Sequence, residues 1–386
     1  MAHRAPRAGI VGAGQLARMT YQAGISLGLT VRLLAGSAAE SAARVARDVV
    51  VGEATAAESL GAFAAECDVL TFDHELVDAV QLAALEASGH CLRPGADTVG
   101  LAQDKRRQRV ELSEQGFPVP PFRAPPDTAS VERFAAEHGW PVVLKAIRGG
   151  YDGRGVWVVG DVAQAAARLH EAADRSVELL VEAWVPIERE LAVLVARRPG
   201  GETVVYPVVE TVQVDGICHE VLAPAPIAPE LAREAQRLGR AIAEAVGATG
   251  VLAVELFVSA GRLLVNELAA RPHNSGHYSI EGCVTSQFEN HLRAILDWPL
   301  GDPSLVASGA AMVNILGCGA DDPRARLPAA LDVPGVHVHL YDKPARAGRK
   351  RGHITATGAD ITEARGRARR AVDILVGKGA AGEGGA

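Results

Sequence analysis

The chain has 386 residues, 48% of them hydrophobic and 22% charged, with a net charge of −7. This composition excludes a disordered chain, supplies core material for about two to four domains, and leaves no basic excess for a nucleic-acid duplex. No apolar run approaches the ~20 residues that span a bilayer, no signal-type segment opens the chain, and the five cysteines form no Cys-x-x-Cys pair, so a cytoplasmic protein with reduced thiols is expected.

Residues 8–11 are an apolar run ending in Gly12-Ala-Gly14, and 15–27 follow with helical spacing and stop at Gly28. Strands at 30–34 and 68–72 and a helix at 76–88 complete an alternating pattern. It predicts a parallel, doubly wound α/β domain over 1–100. Asp97 is placed to cap one long charged helix running to Gln115, and 118–126 reads as a rigid extended connector. The pattern then becomes α+β with antiparallel strands over 101–300. Strands fall at 140–146, 156–159, 179–185, 191–197 and 203–209, a hairpin turn at Pro199-Gly-Gly201, and a helix at 229–246. A hairpin follows at 251–258 and 263–268. Short strands at 337–341 and 353–357 and one last helix predict a small β-rich domain over 301–377. The Gly/Ala-rich 378–386 reads as a disordered tail.

Five motifs carry chemistry. Gly12-x-Gly14-x-x-Ala17 lies between a strand and a helix, where glycines let backbone approach a phosphate. The following strand ends in Ala35-Gly-Ser37 without the acidic residue a dinucleotide ribose needs. A dinucleotide, another phosphate and a purely structural turn are the three readings left open. Gly149-Gly-Tyr-Asp-Gly-Arg-Gly155 follows the strand of Lys145 and reads as a flexible flap presenting amides to phosphate oxygens. Glu255 and Asn266-Glu267 sit on facing strands that otherwise read as buried, and opposed carboxylates repel unless a cation lies between them. Arg271-Pro-His-Asn-Ser-Gly-His277 has HxxxH spacing, but Pro272 forbids a regular zinc-binding helix; its Arg and Asn donors suit a small anion. Tyr341-Asp-Lys343, with Arg346, Arg349, Lys350 and Arg351, is a basic cluster in an acidic chain, suited to a phosphate monoester.

Together these strings resemble the N5-carboxyaminoimidazole ribonucleotide synthetase family of ATP-grasp enzymes. The resemblance runs from about Arg7 to Thr357 and rests on Gly14-Gln-Leu16, Gln103-Asp-Lys105, the 149–155 flap, Asn266-Glu-Leu-Ala269, the 271–277 string and Gly348-Arg-Lys-Arg-Gly-His353. It implies three domains (N-terminal pre-ATP-grasp, central ATP-grasp, C-terminal) and a cytoplasmic homodimer binding neither nucleic acid nor membrane. The implied reaction joins bicarbonate to 5-aminoimidazole ribonucleotide at the expense of ATP, through carboxyphosphate, with Mg²⁺ as cofactor. By the same resemblance ATP meets Lys105, Lys145, the flap (Gly149, Gly150, Tyr151, Asp152, Gly153, Arg154, Gly155), Glu182, Ala183, Trp184, Val185, Glu190, Gln213, Asn266 and Glu267. The ribonucleotide meets Gly14, Gln15, Leu16, Asp73, Glu75, Tyr151, Asp152, Arg154, His273, Lys343, Arg349 and Lys350. Asp152, Arg271 and Asn274 are implied as catalytic, and Glu255 with Glu267 as the metal ligands. The chain departs from the family in having Asp73-His-Glu75 for the usual Glu-x-Glu, and Gln213 for a histidine that contacts nucleotide. Another ATP-grasp carboxylate–amine ligase, a catalytically dead ATP-grasp binding protein and a dehydrogenase using the Gly12 loop are the rival expectations.

Overall fold

The computed structural model describes residues 4–124, 127–150, 153–317, 322–346 and 348–378. The N-terminal unit comprises β1 (Arg7–Val11), α1 (Gln15–Ser26), β2 (Thr30–Ala35), β3 (Asp48–Val51), α2 (Ala57–Ala65), β4 (Val69–Phe72) and α3 (Ala79–Ala87). Its sheet is parallel, ordered β3-β2-β1-β4. Ile10 and Leu33 pack on one face and Val11, Leu34 and Phe72 on the other. Burial on both faces is why these strands read as continuous apolar runs. The edge strand β3 and the helix α2 are the elements of this unit that sequence reading lacks, β3 being short and only partly buried.

The expected long helix is instead two, α4 (Ala96–Gln103) and α5 (Lys105–Glu114). Asp104 breaks it: its backbone is extended, and its side chain accepts from Arg107 N–H to cap the second helix. The cap of the first is Gly95, not Asp97. The break matters because it starts α5 at Lys105 and turns that helix toward the site.

A four-stranded antiparallel sheet follows, from β5 (Phe122–Arg123), β6 (Val142–Ala146), β7 (Val156–Val159) and β8 (Leu179–Ala183), in the order β5-β8-β6-β7. Helices α6 (Thr128–His138) and α7 (Val162–Asp174) cover it. The larger sheet has nine strands: β9 (Arg189–Arg197), β10 (Thr203–Val205), β11 (Val209–Val214), β12 (Ile217–Ala223), β13 (Gly250–Ser259), β14 (Arg262–Ala269), β15 (Gly309–Leu316), β16 (Val336–Leu340) and β17 (Lys350–Gly358). Its order is β14-β13-β9-β11-β12-β15-β17-β16, with β10 beside β9. The expected single strand at 203–209 is two, because Pro207 has no N–H to give a ladder. The apolar stretch from 309 is strand β15, which pairs β12 with β17 and so carries the central sheet into the C-terminal segment. The helix at Pro229–Ala245 packs Ala235, Ile242 and Ala243 on one face of this sheet. Ile361–Leu375 packs at the other end, where Arg365 and Arg369 each reach the buried Glu220 carboxylate at 2.6 Å. No helix among the described residues is long and apolar enough to cross a membrane. Cys67, Cys91 and Cys283 are free thiols.

Candidate active site

The first loop is held by Asp73, at the end of β4. Its Oδ2 accepts from Gly14 N–H at 2.6 Å. Gly12 has φ +108°, and a Cβ there would lie 1.8 Å from Asp73 Oδ1. Burial pushes the Asp73 carboxyl up, against the pull of His74, the Gly14 amide and Arg271. A carboxylate thus occupies the place a pyrophosphate would take, which argues against the dinucleotide reading. Glu75 pairs with Arg271 Nε at 2.7 Å. Gln15 accepts from Lys343 Nζ, linking the start of α1 to the 341–343 turn. The Leu16 side chain is buried with Met19, Phe288 and Tyr341.

From the sequence, loop length gives the β13–β14 hairpin two registers: a two-residue loop places Asn266 opposite Glu255, and a three-residue loop with Gly261 at positive φ places Glu267 there. The hairpin takes a third route. Its turn is a two-residue one, Ala260-Gly261, with φ of 48° and 68° and Ser259 paired with Arg262. Unmodified, that turn would set Asn266 against Glu255. A bulge shifts the ladder between Glu255 and Leu256, so that Glu267 faces Glu255. The three-residue loop expected for that pairing is absent, yet both carboxylates share one face.

Side chains from α5 grip the bulge. Arg109 Nη2 donates to the Asn266 carbonyl at 2.7 Å, and Gln108 Oε1 accepts from Leu268 N–H at 2.9 Å. Lys105 Nζ lies 2.5 Å from Glu267 Oε1. Glu255 is pushed up to about 7, first by burial and then by Glu267 and Glu190. Burial also pushes Glu190, on β9, up to about 6.

Lys145 on β6 and Glu182 on β8 are diagonal neighbours across the smaller sheet, since Lys145 pairs with Leu180 and Val143 with Glu182. Lys145 Nζ is 2.7 Å from Glu182 Oε2 and donates to Asn266 Oδ1 at 3.1 Å. Arg109 Nε donates to Glu182 Oε1 at 2.6 Å. Burial works against the Glu182 charge, but Arg109 and Lys145 outweigh it and hold the carboxyl below its usual range. The same burial lowers Lys145. The two sheets therefore meet through ionised groups at the bulge. Ala183 is buried, Trp184 is exposed and Val185 is intermediate between them.

The flap joins β6 to β7. Gly149, Gly153 and Gly155 all have positive φ, and Ala146 N–H donates to the Gly155 carbonyl at 2.7 Å. A Cβ on Gly150 would lie 2.8 Å from the Arg154 carbonyl. At the tip, a Cβ on Gly153 would lie 3.0 Å from Gly216 Cα, so the flap reaches the β11–β12 turn beside Gln213. Tyr151 and Asp152, central to the sequence reading, lie outside the described residues.

In the 271–277 string, residues 274–276 form one 3₁₀ turn and not a zinc-type helix. His273 Nε2 lies 3.4 Å from Glu255 Oε1, and its Nδ1 is 2.8 Å from Ser275 Oγ. Burial, with Arg271 and Lys350, drives His273 down to about 3, so it is neutral at physiological pH. The Asn274 amide is buried with no hydrogen-bond partner on either end. His277 is fully buried against His353, with ring centroids 5.0 Å apart. Among the described residues no group of three or more His, Cys, Asp or Glu side chains could hold a metal. The donor set for a cation is the Glu255–Glu267 pair, which matches Mg²⁺, an ion that takes one or two carboxylates and completes its shell with phosphate and water. Lys350 lies close enough for its charge to act on Glu255 and His273. The Arg349 backbone closes the turn through Gly317 N–H.

Sequence reading missed Arg109 and Gln108. The available signal was spacing: Arg109 stands four residues after Lys105, on the same helical face. In a run as charged as 105–111, a solvated face is the ordinary reading, and only the break at Asp104 changes it.

Comparison with known proteins covers nearly the whole chain. Residues 6–103 match the ribonucleotide synthetase preATP-grasp domain family, 110–288 the ATP-grasp domain, and 310–367 the phosphoribosylaminoimidazole carboxylase C-terminal domain. The N5-carboxyaminoimidazole ribonucleotide synthase of Mycobacterium tuberculosis is 48% identical over 366 residues, which are 93% of this chain and 85% of that one. That of Corynebacterium ammoniagenes is 44% identical over 384 residues, covering 96% and 92%. Among solved structures, N5-carboxyaminoimidazole ribonucleotide synthetase from Thermus thermophilus superposes with TM-score 0.86 at 36% identity, covering 95% of this chain and 98% of that one. The Aspergillus clavatus enzyme, in complex with ADP and 5-aminoimidazole ribonucleotide, gives TM-score 0.88 at 33% identity, covering 96% and 99%.

Proposed function

This chain belongs to the N5-carboxyaminoimidazole ribonucleotide synthase family, and on that premise we propose that it carboxylates 5-aminoimidazole ribonucleotide with ATP and bicarbonate in purine biosynthesis. It is an ATP-dependent carbon–nitrogen ligase. Bicarbonate is a poor electrophile; phosphorylation to carboxyphosphate makes its carbon reactive, and the exocyclic amine of the ribonucleotide takes it up with release of phosphate.

One observation carries the reading. A single short segment, residues 266–271, joins the phosphoryl-transfer groups to the first loop. Asn266 meets Lys145, Glu267 meets Lys105, and Arg271 meets Glu75 beside the Gly14 loop. Lys105 and Lys145 neutralise the transferring phosphoryl group. The flap, with Asp152 at its centre, closes over the phosphates and excludes water from the intermediate. The strand from Glu182 to Val185, with Glu190, lines the nucleoside side of ATP, the Glu182 carboxylate being turned away onto Arg109 and Lys145, with Gln213 opposite. Glu255 and Glu267 would hold Mg²⁺, which would offset charge on the phosphate oxygens. The neutral His273 and the unpartnered Asn274 amide face the second substrate with Arg271. Lys343, Arg349 and Lys350 take its phosphate beside Gln15. The division at 1–100, 101–300 and 301–377, supported by three successive family matches, belongs to the same reading, as do a homodimer and a cytoplasmic setting.

The deciding experiment measures phosphate release with ATP and bicarbonate, with and without 5-aminoimidazole ribonucleotide, and identifies the product. Release that is independent of the ribonucleotide, or a product other than the N5-carboxylate, would refute the reading.

A further inference from the structure

Arg109 is fully buried one helical turn beyond Lys105, and its two engaged nitrogens reach different sheets. Nε donates to Glu182 Oε1 on β8 at 2.6 Å, and Nη2 donates to the Asn266 carbonyl on β14 at 2.7 Å. The other Glu182 oxygen is 2.7 Å from Lys145 Nζ. Two cations thus share one carboxylate, and the trio carries a net +1. If Lys145 faced Glu182 alone, the pair would be neutral, and its ammonium would be drawn toward the carboxylate and away from an incoming phosphate. With Arg109 balancing Glu182, one positive charge is left for the ligand. The second arm of Arg109 takes the carbonyl that the bulge leaves outside the ladder. It thereby fixes the register that sets Glu267 opposite Glu255.

We propose that Arg109 is a positioning residue for ATP: through Glu182 it keeps Lys145 available to the phosphates, and through the Asn266 carbonyl it holds the Glu255–Glu267 pair in register. This rests on the ATP-using reading above. Its function is electrostatic as well as architectural, and a double mutant separates the two. In R109M, Lys145 becomes the sole counter-ion of Glu182. In R109M/E182Q, the carboxylate charge is removed too and Lys145 is released.

The test titrates the magnesium complex of a non-hydrolysable ATP analogue, adenylyl imidodiphosphate, into the full chain by calorimetry. R109M should bind about tenfold or more weakly than the wild type. R109M/E182Q should recover at least about threefold of that loss. R109K, which keeps a buried cation but cannot reach both partners, should fall between the wild type and R109M, and it serves where R109M is too unstable to titrate. In turnover, KM for ATP should rise and KM for the ribonucleotide should stay within about twofold, because the contacts lie on the ATP side. R109M binding like the wild type, or a double mutant no tighter than the single, would overturn the proposal. A wild-type chain that binds no analogue would instead remove the functional reading, and this inference with it.

Discussion

Replacing Glu267 by Gln separates a metal-binding role from a structural one. Glu255 is raised from an ordinary 4.5 to about 7, and Glu267 is the second cause after burial. The whole shift corresponds to about 3 kcal/mol, so relief from Glu267 is on the order of 1 kcal/mol. Against that stands the loss of the 2.5 Å ion pair with Lys105, in which Glu267 is 37% exposed. Such a pair is worth about 1 kcal/mol or less. The metal-free mutant should therefore melt within about 3 °C of the wild type.

The pH dependence carries a further sign. The folded-state pKa of Glu255 lies above its unfolded value, so its contribution to stability is full below about 4.5 and lost as pH rises through about 7. In denaturant melts in chelator, from about pH 5 to about pH 8, E267Q should gain stability relative to the wild type as pH rises, while the buried, neutral histidines, His273 and His291 among them, contribute alike to both chains and cancel in that difference. Turnover of Mg²⁺-ATP, assayed by phosphate release, should be abolished. A mutant that unfolds while keeping its specific activity would show that the pair is structural and that the metal site lies elsewhere.

Three further outcomes follow from the site. K343A/R349A should raise KM for the ribonucleotide about a hundredfold or more, at ~1.5–3 kcal/mol per charge-assisted contact, and spare KM for ATP; an equal loss for ATP would misplace the cluster. D152N, in the flap, should bind the ATP analogue almost normally by calorimetry and lose most ribonucleotide-dependent turnover, and unchanged turnover would remove Asp152 from the mechanism. Gly12→Ala must accept φ +108° with its Cβ 1.8 Å from Asp73 Oδ1. It should cost about 2–4 kcal/mol in denaturant melts, whereas an unchanged midpoint would mean that Asp73 swings clear.

Most of the fold was legible because its signals are local. Gly12-Ala-Gly14 between strand and helix, the Pro199-Gly-Gly201 turn and the amphipathic 229–246 helix each lie where the residue pattern puts them. The misses have physical causes. A four-residue edge strand at Asp48–Val51 has too little burial to stand out from its surroundings. Pro207 splits a run whose residues are otherwise strand-like. Residues 309–316 are apolar without alternation because both faces of β15 are buried. The site was legible as a set of strings but not as a geometry. Glu182 illustrates the difference: its strand was identified, while its partners Arg109 and Lys145 come from elements 73 and 37 residues away in sequence.

The β14 bulge shows why that geometry cannot be read locally. From sequence, the hairpin offered two registers distinguished by loop length, and only a three-residue loop paired the glutamates. The chain keeps the tight Ala260-Gly261 turn and still pairs them, because the extra residue is absorbed at Asn266. Nothing in Leu-Val-Asn-Glu-Leu marks that residue as the one to leave the ladder. What marks it is α5: Arg109 takes the Asn266 carbonyl, Gln108 the Leu268 amide and Lys105 the Glu267 carboxylate. A bulged carbonyl without a partner would carry the cost of an unmade hydrogen bond, about 1–3 kcal/mol when buried. Arg109 removes that cost and, in the same contact set, balances Glu182. On the proposed reading, one guanidinium thus sets both the register of the metal-site candidate and the charge that Lys145 offers to phosphate. Disturbing either should be felt at the other.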